Sequence, residues 1–128
     1  MVLLKRAYEP AGRRDGERVL VERLWPRGVR KEALHVSWWA KDVAPSTALR
    51  QWFGHDPVRW PEFVRRYRAE LRQPERTRAL VELVGRAASH TVTLVYAAHD
   101  TEHNNAVVLK DVIDRVLRSS HGPHATAP

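Results

Sequence analysis

The chain has 128 residues, 43% of them apolar, enough for one folded domain with a real core and too apolar for a disordered chain. It has no cysteine, which excludes a disulfide framework, a thiolate zinc site and a cysteine nucleophile. Lys and Arg number 22 against 15 Asp and Glu, a formal charge of +7 that favours anionic partners such as nucleic acid, nucleotides or phosphorylated metabolites, although arginine on solvated faces produces the same balance.

Val2 to Lys5 reads as a first strand. Glu9 to Gly16, with Pro10, Gly12 and an Asp15-Gly16 turn, reads as a loop. Arg18 to Leu24 is the second predicted strand, and its near-continuous apolar centre suits burial on both faces of a parallel sheet. Trp25-Pro26-Arg27-Gly28 stops it, because proline cannot donate to the ladder and Gly28 permits a tight turn. Arg30 to Leu34 is about one helical turn, and Ser37 to Val43 fits no single element.

Ser46 and Thr47 mark a helix start, where a hydroxyl oxygen can accept an orphan amide. Leu49, Trp52 and Phe53 follow at helical spacing, and Gly54 closes the helix. After an Asp56-Pro57 turn, Pro61 suits a first helical position, and Trp60, Phe63, Val64, Tyr67 and Leu71 make one apolar stripe. Pro74 opens another helix, with Leu80, Val81, Leu83, Val84, Ala87 and Ala88 expected inward. Thr91 to Tyr96 is rich in β-branched residues and is the clearest strand. Ala97 to Thr101 is the next loop. The last helix is predicted from about His103 to Leu117, with Ala106, Leu109, Ile113, Val116 and Leu117 on one stripe.

These elements predict a compact layered α/β domain over residues 1–118, with a small, mostly parallel sheet flanked by helices. The direction of the first strand relative to the second stays open. Ser119 to Pro128 reads as a disordered tail. No run approaches the roughly 18 apolar residues of a membrane span. Met1–Arg6 is too short and too soon charged for a secretory signal. The expectation is a cytoplasmic protein with no membrane partner.

Three blocks stand out: Val19-Leu20-Val21-Glu22-Arg23-Leu24-Trp25-Pro26-Arg27-Gly28, then Pro45 to His55, then Leu94 to Ala106. Together they resemble the YeaO-like branch of a large family called domain of unknown function 488, over roughly residues 2 to 118. The resemblance implies a compact α/β fold found in bacteria and archaea, and no assigned activity. Longer relatives carry a Cys-His pair near the start of the last helix. This chain has Asn104-Asn105 there, so thiol chemistry has no residue to carry it.

In an open α/β sheet, ligands sit beyond the carboxyl ends of the strands. The loops after the second and third predicted strands, and the start of the last helix, meet that description. Arg23 and Arg27 offer fork-shaped donors for phosphate or carboxylate. Trp25 offers a flat face, Gly28 a close backbone approach, and Tyr96 and Asn104 stand near the same rim. These residues are the ligand-binding candidates for a small phosphate-bearing or nucleotide-like anion. The plainer alternative has Arg23 paired with Glu22, Asp42 or Asp100, with Trp25 and Tyr96 in the core.

His99 and Asp100 are the candidate acid/base pair, because histidine titrates near neutrality and a carboxylate can orient it. Sequence neighbours rarely point at each other, so His99 paired with Glu22 or His103, and Asp100 capping the last helix, stand as alternatives. His99 and His103 are four apart, but no third metal ligand is evident, and no metal or cofactor is expected. Ser46 and Thr47 are better explained as a cap than as a nucleophile. His55 either faces the cleft or closes a turn.

Two other classes of function are open. Arg59, Arg65, Arg66, Arg68 and Arg72 could track a nucleic-acid backbone, with exposed tryptophans as a stacking platform. Alternatively, the clustered tryptophans Trp38, Trp39, Trp52 and Trp60 could contact a protein partner. No Walker loop, dinucleotide glycine fingerprint or zinc-finger spacing is present.

Overall fold

A computed structural model describes residues 1–120. Its centre is a four-stranded, all-parallel sheet: β1 (Val2–Arg6), β2 (Glu17–Leu20), β3 (Trp38–Trp39) and β4 (Val92–Tyr96), in the order β1-β4-β2-β3. β4 is central and every residue of it is buried. It pairs with β1 from Val2↔Val92 to Arg6↔Tyr96, and with β2 from Glu17↔Val92 to Leu20↔Val95. β1 and β2 therefore run the same way, which settles the direction that the sequence leaves open.

Side chains alternate across the sheet, as a pleated backbone requires. Val19, Val21, Val92, Leu94 and Tyr96 join the larger core, with Phe53, Phe63, Tyr67, Leu83, Leu109 and Ile113 from the helices. Leu20 and Val95 face the other side, where Ala7, Leu34, Trp25, Val29, Val36 and Trp39 cover them. Helices thus flank one face. The other is closed mainly by the segment after β2, which holds only the single-turn helix α1 (Lys31–Leu34).

The helical layer comprises α2 (Thr47–Phe53), α3 (Trp60–Glu70), α4 (Pro74–Ser89) and α5 (Asn105–Ser120). Ser46 caps α2, its Oγ accepting the Leu49 amide at 3.1 Å, and Gly54 ends it in the left-handed region at φ 53°. Glu70 of α3 accepts the Ser46 amide at 2.8 Å and so ties the two helices together.

Four expectations change. The second strand ends at Leu20 rather than Leu24. Val21 still donates to the Val95 carbonyl at 3.1 Å, and then the chain leaves the sheet. Residues 38–39 of the ambiguous segment form the edge strand β3, too short to show a periodicity. On α4, Leu83 and Ala87 are buried, whereas Val81 and Ala88 face solvent on the flank of the stripe; Val116 of α5 is exposed likewise. α5 starts at Asn105 and runs to Ser120, so Ser119 belongs to the helix, and the remainder of the expected tail, 121–128, lies outside the described residues.

A buried ion network supports the sheet behind α1. Asp15 Oδ2 takes a hydrogen bond from Arg18 Nη1 at 2.6 Å, and Lys5 Nζ donates to Asp15 Oδ1 at 3.1 Å. Arg18 Nε donates to the Leu34 carbonyl at 2.8 Å. Burial alone would raise the Asp15 carboxyl, but the Gly12 amide, Lys5 and Arg18 together outweigh it and hold the group below its ordinary value. Among the described residues, no helix is long and apolar enough to cross a membrane.

Candidate functional site

A cleft of about 620 Å³ opens beyond the carboxyl ends of β1, β2 and β4, where ligands sit in open parallel sheets. Tyr8 comes from the turn after β1. Glu22, Leu24, Trp25, Pro26 and Arg27 come from the segment after β2, and Ala97 to Asp100 with His103, Asn104 and Asn105 from the β4–α5 connection. Pro45, Arg50, Phe53 and His55 from around α2, and Phe63 of α3, complete it. Phe53 and Phe63 stack at 4.4 Å, so the cleft has an aromatic wall beneath a rim of arginine and histidine.

Five of the predicted residues meet here: Trp25, Arg27, His99, Asp100 and Asn104. Arg23, Gly28 and Tyr96 do not line the cleft. Arg23 Nε reaches to the Pro45 carbonyl, at 3.5 Å. Gly28 is exposed at φ 78°, with nothing within 4 Å of where a Cβ would stand. Tyr96 is only 3% exposed, in the main core, where burial pushes its hydroxyl up.

Trp25 serves both sides: its indole donates to the Val29 carbonyl at 2.6 Å and meets Trp39 edge-on at 5.4 Å, and the residue also lines the cleft. Asn104 is the cap of α5. Its Oδ1 accepts the Val107 amide at 3.0 Å and its Nδ2 donates to the Asp100 carbonyl at 2.9 Å. Asn105 Nδ2 donates to the Val21 carbonyl at 2.6 Å, fixing the start of α5 against the end of β2.

His99 and Asp100 do not pair with each other. His99 Nδ1 lies 3.2 Å from Arg6 Nη2. A guanidinium can only donate, so in this contact Nδ1 takes the acceptor role and Nε2 is left facing away from Arg6. Asp100 turns instead to His103. Its Oδ2 lies 2.9 Å from His103 Nδ1, and its Oδ1 accepts the Glu102 and His103 amides at 2.8 and 3.0 Å. The Glu102 amide, then the His103 ring, hold the Asp100 carboxyl below its ordinary value. His103 in turn meets Trp60 edge-on at 5.2 Å. The carboxylate–imidazole pair of the cleft is therefore Asp100–His103, three residues apart on a turn. Among the described residues, no three His, Cys, Asp or Glu side chains are grouped to hold a metal ion.

Two charged lining residues, Glu22 and Arg50, were not placed in the site by the sequence, and His55, left between the cleft and a turn, lines it. Glu22 is half-buried, and its Oε2 accepts the Ala97 amide at 3.1 Å. Burial pushes its carboxyl up, against the Ala97 hydrogen bond and the nearby Arg50 charge. Arg50 reaches the cleft from the last turn of α2. His55 sits at φ 58° directly after left-handed Gly54, an uncommon conformation for a side-chain-bearing residue, and its ring lies 6.3 Å from that of Phe53. The signal for Glu22 was a lone carboxylate at the end of an apolar strand. For His55 it was its place after the closing glycine.

The basic face of α3 is largely neutralised by the protein itself. Arg65 and Arg66 both pair with Glu62, whose carboxyl they hold down to about 2. Arg59 pairs with Asp56 and Arg68 with Asp111. The tryptophan faces are also occupied: Arg59 and Arg66 lie over Trp52, Lys41 over Trp39 and Arg86 over Trp38.

Comparison with known proteins gives one family and no chemistry. The profile of a family described as "Inactive DUF488-N3 subclade" matches residues 1–128. An uncharacterized protein of Mycobacterium tuberculosis strain H37Rv is 42% identical over 113 residues, covering 88% of this chain and 93% of the relative. The uncharacterized protein YeaO of Escherichia coli strain K12 is 43% identical over 108 residues, covering 84% and 91%. No solved structure matches.

Proposed function

The chain belongs to the family described as the inactive DUF488-N3 subclade, and from that membership and the cleft we propose that it is a binding domain for a small phosphate-bearing or nucleotide-like anion. The observation that carries the reading is the pair Arg27 and Arg50. Both line the cleft, and among the described residues neither forms an ion pair with a carboxylate. Most arginines of the α3 face, by contrast, have acidic partners. Both residues are exposed, and a guanidinium that no carboxylate engages keeps its fork of donors free for an anion. Phe53, Phe63 and Trp25 supply flat apolar surface for a ring attached to that anion.

The family's description as inactive supports a site that holds its ligand without turning it over. The geometry supports the same reading. His99 has its Nδ1 occupied by Arg6, and among the described residues no serine, threonine or cysteine lines the cleft for the Asp100–His103 pair to activate. With Nδ1 turned to Arg6, His99 then offers Nε2 as a hydrogen-bond donor at the rim, while the His103 ring donates to Asp100.

A thermal-shift screen of inorganic phosphate, nucleotides, sugar phosphates and short oligonucleotides tests this on wild type, Arg27→Ala, Arg50→Ala and His99→Ala. A ligand that binds only the folded state raises the melting temperature by mass action. A small phosphate compound should stabilise wild type and lose its effect in Arg50→Ala. If only oligonucleotides stabilise, and all four proteins respond alike, the cleft reading fails and the basic surface takes its place, with affinity falling steeply with salt.

A further inference from the structure

Glu22 stands apart from the other acidic groups of the cleft. Asp100 is satisfied by two amides and His103. Glu22 accepts a single hydrogen bond, from the Ala97 amide to Oε2, and among the described residues it has no ion pair. Among the described residues, its Oε1 has no donor. Yet it is not sealed, because the only fully enclosed side-chain atoms without a partner, among the described residues, are Arg18 Nη2 and Arg68 Nε. A half-buried carboxylate with an open oxygen costs folding stability, and such costs concentrate where function needs the group. The lining residue thus presents one open acceptor into a cleft that also carries the guanidinium groups of Arg27 and Arg50.

We propose that Glu22 determines specificity in this cleft: Oε1 accepts a hydrogen bond from a hydroxyl of the bound compound, so the ligand is a hydroxyl-bearing phosphate ester, of the sugar-phosphate or nucleotide kind, rather than a bare anion. The inference rests on the anion-binding reading above. A hydroxyl suits the place better than an amine, because Arg27 and Arg50 on the same cleft repel a second cation. It also suits Glu22 better than a second anionic group, which the carboxylate would repel. A site built to accept a hydroxyl rejects analogues lacking it, because its buried acceptor is then left unpaired.

Calorimetric titration of inorganic phosphate, phenyl phosphate, ribose 5-phosphate and adenosine 5′-monophosphate tests this on wild type, Glu22→Gln and Arg50→Ala. Glutamine is nearly isosteric. Its oxygen can keep the Ala97 hydrogen bond, which turns its NH₂ towards the cleft and replaces an acceptor by a donor. Wild type should bind at least one of the two hydroxylated esters about tenfold or more tighter than phenyl phosphate. Glu22→Gln should cut that preference to about threefold or less, with phenyl phosphate bound at least as tightly as by wild type because a negative charge has left the cleft. Arg50→Ala should weaken every phosphate compound alike. A preference that survives in Glu22→Gln, or phenyl phosphate binding wild type as tightly as both hydroxylated esters, overturns the role of Glu22 and leaves the anion site standing. No binding of any phosphate compound to wild type overturns both.

Discussion

Replacing Gly16 by alanine should be far more damaging than replacing Gly28, although both sit at positive φ. Gly16 has φ 63° and ψ −138°, a region that side-chain-bearing residues avoid, and Gly28 has φ 78°. Each replacement carries a backbone penalty of about 1–2 kcal/mol. Only at Gly16 does the new Cβ meet the protein: it would lie 2.9 Å from both the carbonyl carbon and the Cβ of Thr91, and closer still to the carbonyl oxygen. That oxygen accepts the Glu17 amide at 3.0 Å at the start of the β2–β4 pairing. To make room, this hydrogen bond must open, at a net cost of roughly 0.5–1.5 kcal/mol, and the start of β2, which leads into buried Arg18 and Val19, must shift. The expected loss is about 3 kcal/mol or more for Gly16→Ala and about 1 kcal/mol for Gly28→Ala. Urea unfolding followed by circular dichroism reads this directly. With a slope of about 1–2 kcal/mol/M, Gly16→Ala should lower the midpoint by some 1.5–3 M with the slope unchanged. Equal midpoints for the two variants would refute the close approach of Gly16 to Thr91. An intact Gly28→Ala matters for the site as well, since its loop carries Trp25 and Arg27 into the cleft.

Asp15→Asn leaves the Arg18 guanidinium, 5% exposed, without its counter-charge and should cost about 3–5 kcal/mol at neutral pH. Because the folded carboxyl lies below its ordinary value, the wild-type advantage is full above the ordinary carboxylate range and is lost as pH falls through the folded value. Melting curves from pH 7 down to 3 should converge for the two proteins, and a constant gap would contradict the network. Ser46→Ala removes the α2 cap and the hydroxyl bound to Glu70, and should lower stability by about 1–2 kcal/mol; a urea midpoint within error of wild type would show that the cap is not needed. Glu22→Gln removes a carboxyl that burial pushes up. Wild type should therefore lose stability relative to this variant as pH rises from the ordinary carboxylate range through the raised folded value. Parallel pH profiles for the two would refute that placement of Glu22.

Features carried by local chemistry were legible in the sequence. The β-branched run of β4, the Ser46 cap and Gly54 stop of α2, and the apolar stripe of α3 all stand where their residues predict. Features set by tertiary geometry were not. A two-residue edge strand, β3, has no pattern of its own and exists because β2 offers it a partner. Reading Val21 to Leu24 as strand followed the apolar pattern, but after the Leu20↔Val95 pair and the Val21 amide bond to Val95 the chain turns out of the sheet, and β4 itself ends one residue on, at Tyr96.

The site divides along the same line. The two loops were located by the rule that parallel sheets bind ligands at their carboxyl ends, and five of the eight predicted residues line the cleft. Which side chains point into it depends on turns that sequence order does not reveal. Asp100 bypasses its neighbour His99 to reach His103, Arg23 turns to Pro45 while Glu22 faces the cleft, and Arg50 arrives from a helix assigned to the core.

The most direct test of the central claim is a titration of the isotopically labelled protein with adenosine 5′-monophosphate, followed by amide ¹H–¹⁵N correlation spectra. The account predicts saturable shifts confined to the cleft, in the segments 22–27 and 97–107 and around His55. Shifts spread along the exposed faces of α3 and α4, or none at any concentration for this and the other phosphate esters, would contradict it.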